Sequence, residues 1–196
     1  MEKYISKKEK ASYGFAAVGS YMVAGITQSY LMYFFTDILI IPSAFVMMLM
    51  IVARVWDALN DPMMGVIVDR TSTKYGKMRP YVLIGSFLML VTTIVLFMPL
   101  TGAPTMFKMI FAAVSYIIFG MAYTLTDVPA MGLMSVATPS SDERASLLSF
   151  YVTVGSVGSL LPVGLLTIFQ SFIPEKYVYF AMSIFVGIIT SAAYLT

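Results

Sequence analysis

The sequence predicts an all-α membrane protein with six transmembrane helices. Three observations lead to that class. Of the 196 residues, 59% are hydrophobic and 11% are charged, whereas a soluble domain carries about 25% charged residues. Six apolar stretches come close to, or exceed, the roughly 20 helical residues that cross a hydrocarbon core of about 30 Å. Lysine and arginine concentrate in alternate connections, the asymmetry that orients spans in a bilayer. Cysteine and histidine are both absent. That removes disulfides, thiol nucleophiles, most zinc chemistry and the usual proton shuttle near neutral pH.

The segments follow in order. Residues 12–35 come after Lys3, Lys7, Lys8 and Lys10. The stretch is longer than a signal-peptide core and lacks a small-residue cleavage site, so it reads as a first transmembrane helix. The second segment, 44–68, follows a turn containing Pro42. A polar, charged loop over 69–80 leads to the third segment, 81–98. Pro99, Gly102 and Pro104 separate that from the fourth, 107–137. The loop Thr138-Pro139-Ser140-Ser141-Asp142-Glu143-Arg144 carries its own helix start, because Ser and Asp cap helix N-termini. The fifth segment is 147–172. Pro174 then breaks the chain before the sixth, 177–195.

Four lysines lie in the N-terminal tail. Arg70, Lys74, Lys77 and Arg79 lie in the second connection and Arg144 in the fourth. The opposite side has only Lys108 and Lys176. This places the N-terminus in the cytoplasm. The sixth segment runs to Thr196 with no basic residue after it. More protein is therefore expected to follow. The other reading is a six-helix protein that pairs with a second subunit.

The chain is organised around Arg54-Val55-Trp56-Asp57-Ala58-Leu59-Asn60-Asp61-Pro62, inside the second apolar segment. At about 100° per residue, Arg54, Asp57 and Asp61 fall within roughly 60° of one another, with Asn60 flanking them. Ionised groups at membrane depth cost several kcal/mol unless they face a cavity, a partner or an ion. One arginine does not neutralise two aspartates, so a bound cation (Na⁺, Li⁺ or H₃O⁺) is expected. Pro62 leaves the Ala58 carbonyl without its helical donor, which adds an oxygen ligand. Two alternatives stay open. Arg54 and Asp57 could only tie helices together, or one carboxyl could hold a proton.

The fourth segment carries a second polar stripe: Tyr116, Gly120, Tyr123, Thr124 and Asp127. Their spacings keep them on one helical face. Asp127 is a lone acid that can accept from hydroxyls while tyrosine rings pack on a sugar's apolar face. Thr124 can aim its hydroxyl at the second segment's aspartates. A plain helix–helix hydrogen bond is the competing account. In the first segment Gly14, Tyr21 and Gln28 recur every seven residues, as a cavity wall or as packing. Gly155, Ser156, Gly158, Ser159 and Gly164 in the fifth let helices approach closely. In the loop after the second segment, Gly65 would admit a close helix contact. Asp69 with Arg70, Lys77 and Arg79 would form ion pairs that hold a gate, and Gly76 marks the turn.

These runs resemble one family closely. Gly65 to Arg79 resembles the signature loop of the major facilitator superfamily between its second and third helices. Tyr33-Phe34-Phe35-Thr36-Asp37, the run from Val52 to Pro62, Tyr75-Gly76-Lys77-Met78-Arg79-Pro80 and Tyr123-Thr124-Leu125-Thr126-Asp127-Val128-Pro129 are similar to the glycoside–pentoside–hexuronide:cation symporters. The resemblance implies the N-terminal six-helix half, a 3+3 repeat, of a major facilitator fold over residues 1–196, with a C-terminal half missing. It implies cation binding at Asp57, Asn60, Asp61 and Thr124, and a sugar-hydroxyl acceptor at Asp127. Read from their own positions, Tyr123, Arg54, Tyr21 and Gln28 are further candidates for substrate contact. The family's melibiose-transporting members carry lysine and aspartate where this chain has Ser20 and Tyr21, tryptophan at Met131, and arginine near Val152. A different glycoside or pentoside, or a substrate read mostly by the missing half, is therefore expected.

The function expected from this is cation-coupled symport of a sugar or glycoside across a bacterial inner membrane. No cofactor is expected beyond the coupling cation (Na⁺, Li⁺ or H⁺). The expected partners are the sugar, membrane lipid and either the missing half or a second copy, and not nucleic acid. Two intramembrane aspartates could suggest a protease, but no Gly-x-Gly-Asp run and no nucleophile–base pair occur, so an enzyme is not expected. A non-transporting six-helix fragment or sensor of the same fold is the alternative.

Overall fold

The computed structural model describes residues 5–195. Lys3 and Thr196, used above for orientation and for the chain's end, lie outside the described residues. Six helices follow in order: α1 Lys7–Tyr33, α2 Ser43–Arg70, α3 Arg79–Leu96, α4 Thr105–Val136, α5 Ser141–Gln170 and α6 Glu175–Tyr194. Their starts follow local chemistry. Ser6 and Glu9 form a reciprocal capping box: Glu9 N donates to Ser6 Oγ (3.2 Å) and Ser6 N to the Glu9 carboxylate (2.8 Å). Those bonds hold the Glu9 carboxyl below its ordinary pKa. Pro42, Pro104 and Pro174 precede α2, α4 and α6, and Ser140 caps α5 by accepting from Glu143 N at 3.4 Å. Pro62, Pro129 and Pro162 lie within helices that continue past them.

Five of the six helices, α2 to α6, are long and apolar enough to cross a membrane. The sixth helix, α1, stands outside that apolar set. That helix has 27 residues, but its first turn is charged and Ser20, Tyr21, Thr27 and Gln28 interrupt its apolar surface. Its end is also unusual. A π-helical turn, Phe34–Ile38, extends α1, and Ile40 then takes φ +57° before Pro42. The buried Leu39 carbonyl there accepts from the ammonium of Lys108 at 2.9 Å, and Lys108 is only 6% exposed. The sequence treated Lys108 as an orientation charge; the structure uses it to satisfy backbone.

In the bundle α1 packs on α5 and α6, α3 on α4 and α6, and α2 mainly on α4. The core is aromatic near the π turn, where Phe34 meets Phe97 (5.3 Å between ring centroids) and Tyr179 (6.0 Å). The α1–α5 contact is the tightest reading of the small-residue stripe. A Cβ on Gly158 would stand 2.7 Å from the Val18 carbonyl oxygen, and one on Gly25 would overlap the Ser159 backbone. Gly155 instead makes room for the Tyr21 ring. Gly164 departs from the stripe, because a Cβ there would meet nothing within 4 Å. α2 and α5 are the helices least covered by the rest of the chain.

Candidate functional site

A cavity of about 620 Å³ opens between α1, α2 and α4. α2 contributes Arg54, Trp56, Asp57 and Asp61, α4 contributes Tyr116, Gly120, Tyr123 and Thr124, and α1 contributes Thr27 and Gln28. The helical spacing explains the convergence. Residues three and four apart share a face, so one stripe of α2 meets one stripe of α4.

At its acidic end, Thr124 Oγ1 donates to the Asp61 carboxylate at 2.8 Å. Thr124 is buried, while Asp61 is exposed on the open side of α2. Arg54 faces Asp57 at 3.8 Å, and the guanidinium side chain is 69% exposed. An ion pair that long and that open neutralises little. Asp57 also packs on α4, since a Cβ on Gly120 would lie 3.0 Å from its carboxylate oxygen. The buried amide nitrogen of Asn60 and the indole nitrogen of Trp56 have no hydrogen-bond partner among the described residues. Which amide atom of Asn60 occupies that position is a question of side-chain flip. Asn60 itself lies outside the cavity wall, which Asp57, Asp61 and Thr124 line. This donor set of carboxylate and hydroxyl oxygens is hard. It suits a small monovalent cation, and among the described residues no group of three or more His, Cys, Asp or Glu converges.

Further along α4, Ser20 Oγ of α1 stands 3.4 Å from both the Tyr123 hydroxyl and the Asp127 carboxylate. Tyr123 lines the cavity, but Asp127 and Tyr21 lie outside its wall. Tyr21 packs edge-on against Tyr151 at 6.1 Å. Thus Arg54, Gln28 and Tyr123 share the cavity with the acidic cluster, and Asp127 reaches it only through Ser20 and Tyr123. The sequence marked Ser20 only as a substituted position and Trp56 only as part of the α2 run, with no role for either. Gly14, the third member of the heptad, packs on Phe150 instead of a cavity.

The loop residues behave differently from expectation. A Cβ on Gly65 would meet nothing within 4 Å, so no close helix approach uses it among the described residues. Asp69 makes no ion pair there; Lys77 Nζ donates to its backbone carbonyl at 3.1 Å instead. Arg70 and Arg79 are exposed, so hydration outweighs pairing for both. Gly76 takes φ +91°, where a side chain would be strained, and closes the turn on Thr73.

Residues 12–196 match the family of MFS/sugar transport proteins. The chain belongs to that family. It is 37% identical over 161 residues to the uncharacterized symporter YjmB of Bacillus subtilis, covering 81% of this chain and 35% of that protein. It is 33% identical over 162 residues to the putative glycoside/cation symporter YagG of Escherichia coli, covering 82% and 35%. It is 29% identical over 153 residues to the isoprimeverose transporter of Lactiplantibacillus pentosus, covering 78% and 32%. The chain spans about a third of the length of the curated relatives it matches. As a major facilitator chain that resembles the N-terminal region of the glycoside–pentoside–hexuronide:cation symporters, it is an integral membrane protein.

Proposed function

We propose that this chain is the cation-binding half of a secondary transporter that couples a monovalent cation to a sugar or glycoside. Six spans, α1 included, then form the N-terminal half of the fold, with the N-terminus in the cytoplasm of a bacterial inner membrane. The observation that carries the reading is the 2.8 Å bond from Thr124 to Asp61, which ties α4 to α2 in the cavity that Asp57 also lines.

In this reading Asp57, Asn60, Asp61 and Thr124 hold the cation. Bringing a positive charge to the two carboxylates removes their mutual repulsion and fixes α2 against α4. Thr124 can turn its hydroxyl proton away and present its oxygen to the ion. The sugar sits beside Tyr123, Gln28 and Arg54, with Asp127 accepting from its hydroxyls directly or through Ser20. Because both ligands favour the same α2–α4 geometry, each raises the other's affinity by the same factor. The uncovered sides of α2 and α5 are the surfaces a second half would cover, and rocking between halves would alternate access. The loop from Gly65 to Arg79, with Asp69, Arg70, Gly76 and Lys77, would bear on that motion as a turn held to backbone rather than as a set of ion pairs.

The test is uptake by the full-length transporter, screened over glycosides and pentosides with and without Na⁺, Li⁺ or a proton gradient. Uptake of at least one sugar that rises with one of these cations is the expected result. Uptake indifferent to all three would overturn coupling.

A further inference from the structure

A second cavity, of about 500 Å³, lies between α1, α3, α4, α5 and α6 and shares no wall residue with the first. It sits toward the N-terminal ends of α1, α3 and α5, with Glu9 and Arg79 at its polar end and Ala16, Leu83, Ala130 and Leu133 along its walls. Two tyrosines form its deep end. Tyr151 is fully buried and Tyr194 is 9% exposed. Neither hydroxyl has a hydrogen-bond partner among the described residues. The two hydroxyls lie close to each other and to Ser20, near the Asp127 carboxylate, at a geometry too loose for a completed bond.

A buried hydroxyl left unpaired is costly, and a roomy polar cavity normally resolves that cost with water making two to four bonds. A lipid chain in the same space would leave both phenols unpaired. We propose that this cavity is an aqueous chamber. Tyr151 and Tyr194 hold ordered waters that hydrate the Ser20–Asp127 pair from behind, independently of the central cavity. Asp127 then has two solvent routes. This deepens the transport reading and takes its sidedness from it: the chamber opens on the cytoplasmic face.

This chain has no cysteine, which makes thiol accessibility a direct probe. A thiol reacts with a small charged methanethiosulfonate as the thiolate, and apolar surroundings suppress that form. Ala16→Cys and Ala130→Cys are placed separately in the full-length transporter, made cysteine-free elsewhere, and labelled in vesicles of each orientation. Both should react at least about tenfold faster than Val114→Cys, on the exposed apolar side of α4, and from the cytoplasmic face. Adding Tyr151→Phe with Tyr194→Phe should slow both by about threefold or more, because the waters lose their anchors. Gel filtration of each variant identifies those that fold, and the two cysteine positions back each other. Rates no faster than Val114→Cys, rates unchanged by the paired Phe substitutions, or reaction only from the opposite face would each overturn the chamber. Labelling requires no uptake, so loss of cation coupling with labelling intact would sink the transport reading alone.

Discussion

Gly120→Ala is the sharpest perturbation of the candidate cation site, because it removes no chemistry. The new Cβ would stand 3.0 Å from the Asp57 carboxylate oxygen. Ordinary contact begins at 3.4 Å, so the carboxylate must retreat by about 0.4 Å or twist off its rotamer. A twist of about 30° costs roughly 0.5–1.5 kcal/mol. Spent against cation binding, that is a loss of affinity between about twofold and tenfold. Folding should not suffer, since alanine is better than glycine in a helix by about 1 kcal/mol. Gly164→Ala is the matched control, because its Cβ would meet nothing within 4 Å. The assay is the cation concentration that half-activates sugar uptake in the full-length transporter, with thermal stability measured in parallel. A raised half-activation concentration at unchanged or raised stability, in Gly120→Ala only, is the expected result. An unchanged value in a folded Gly120→Ala protein would refute the placement of Asp57 as a ligand.

Three more outcomes follow from the same geometry. Thr124→Val keeps the shape but deletes the donor to Asp61, and bonds to charged groups contribute about 1.5–3 kcal/mol. Its half-activation concentration should rise about ten- to hundredfold, with Thr124→Ser recovering most of it. Lys108→Met leaves the buried Leu39 carbonyl unpaired and should lower stability by about 1–3 kcal/mol in detergent unfolding, with uptake by the surviving protein unchanged. Gly25→Ala drives a Cβ into the Ser159 backbone, so α1 and α5 must separate. A loss of about 1–3 kcal/mol is expected there despite alanine's higher helix propensity.

Much of this was legible in the sequence because membrane depth imposes a strict alphabet. An unbroken apolar run forces a helix, and a charge inside one needs a partner. The α2 stripe from Arg54 to Asp61 and the α4 stripe from Tyr116 to Asp127 were therefore visible by spacing alone, as was the Thr124 hydroxyl between them. Sequence periodicity does not say which helix faces which, and that is where it fell short. Gly155 and Gly158 allow the expected close approach, with α1 as the partner, while Gly65 and Gly164 meet nothing within 4 Å among the described residues, though all four look alike in one dimension. Asp69 was assigned ion pairs from the nearness of basic residues, but in an exposed loop hydration competes and a backbone carbonyl took the lysine. Lys108 was read by its charge, whereas its function in the fold comes from a carbonyl 69 residues away. α1 has the length of a span but is less apolar than the other five helices, because freedom from charge is a weaker condition than being apolar.

The central claim is that Asp57 and Asp61 hold the coupling ion. Its most direct test replaces each with asparagine in the full-length transporter and measures sugar uptake against Na⁺, Li⁺ and proton concentration. The account predicts that both variants fold, still bind sugar, and lose cation stimulation. Stimulation that survives intact in both variants would contradict it.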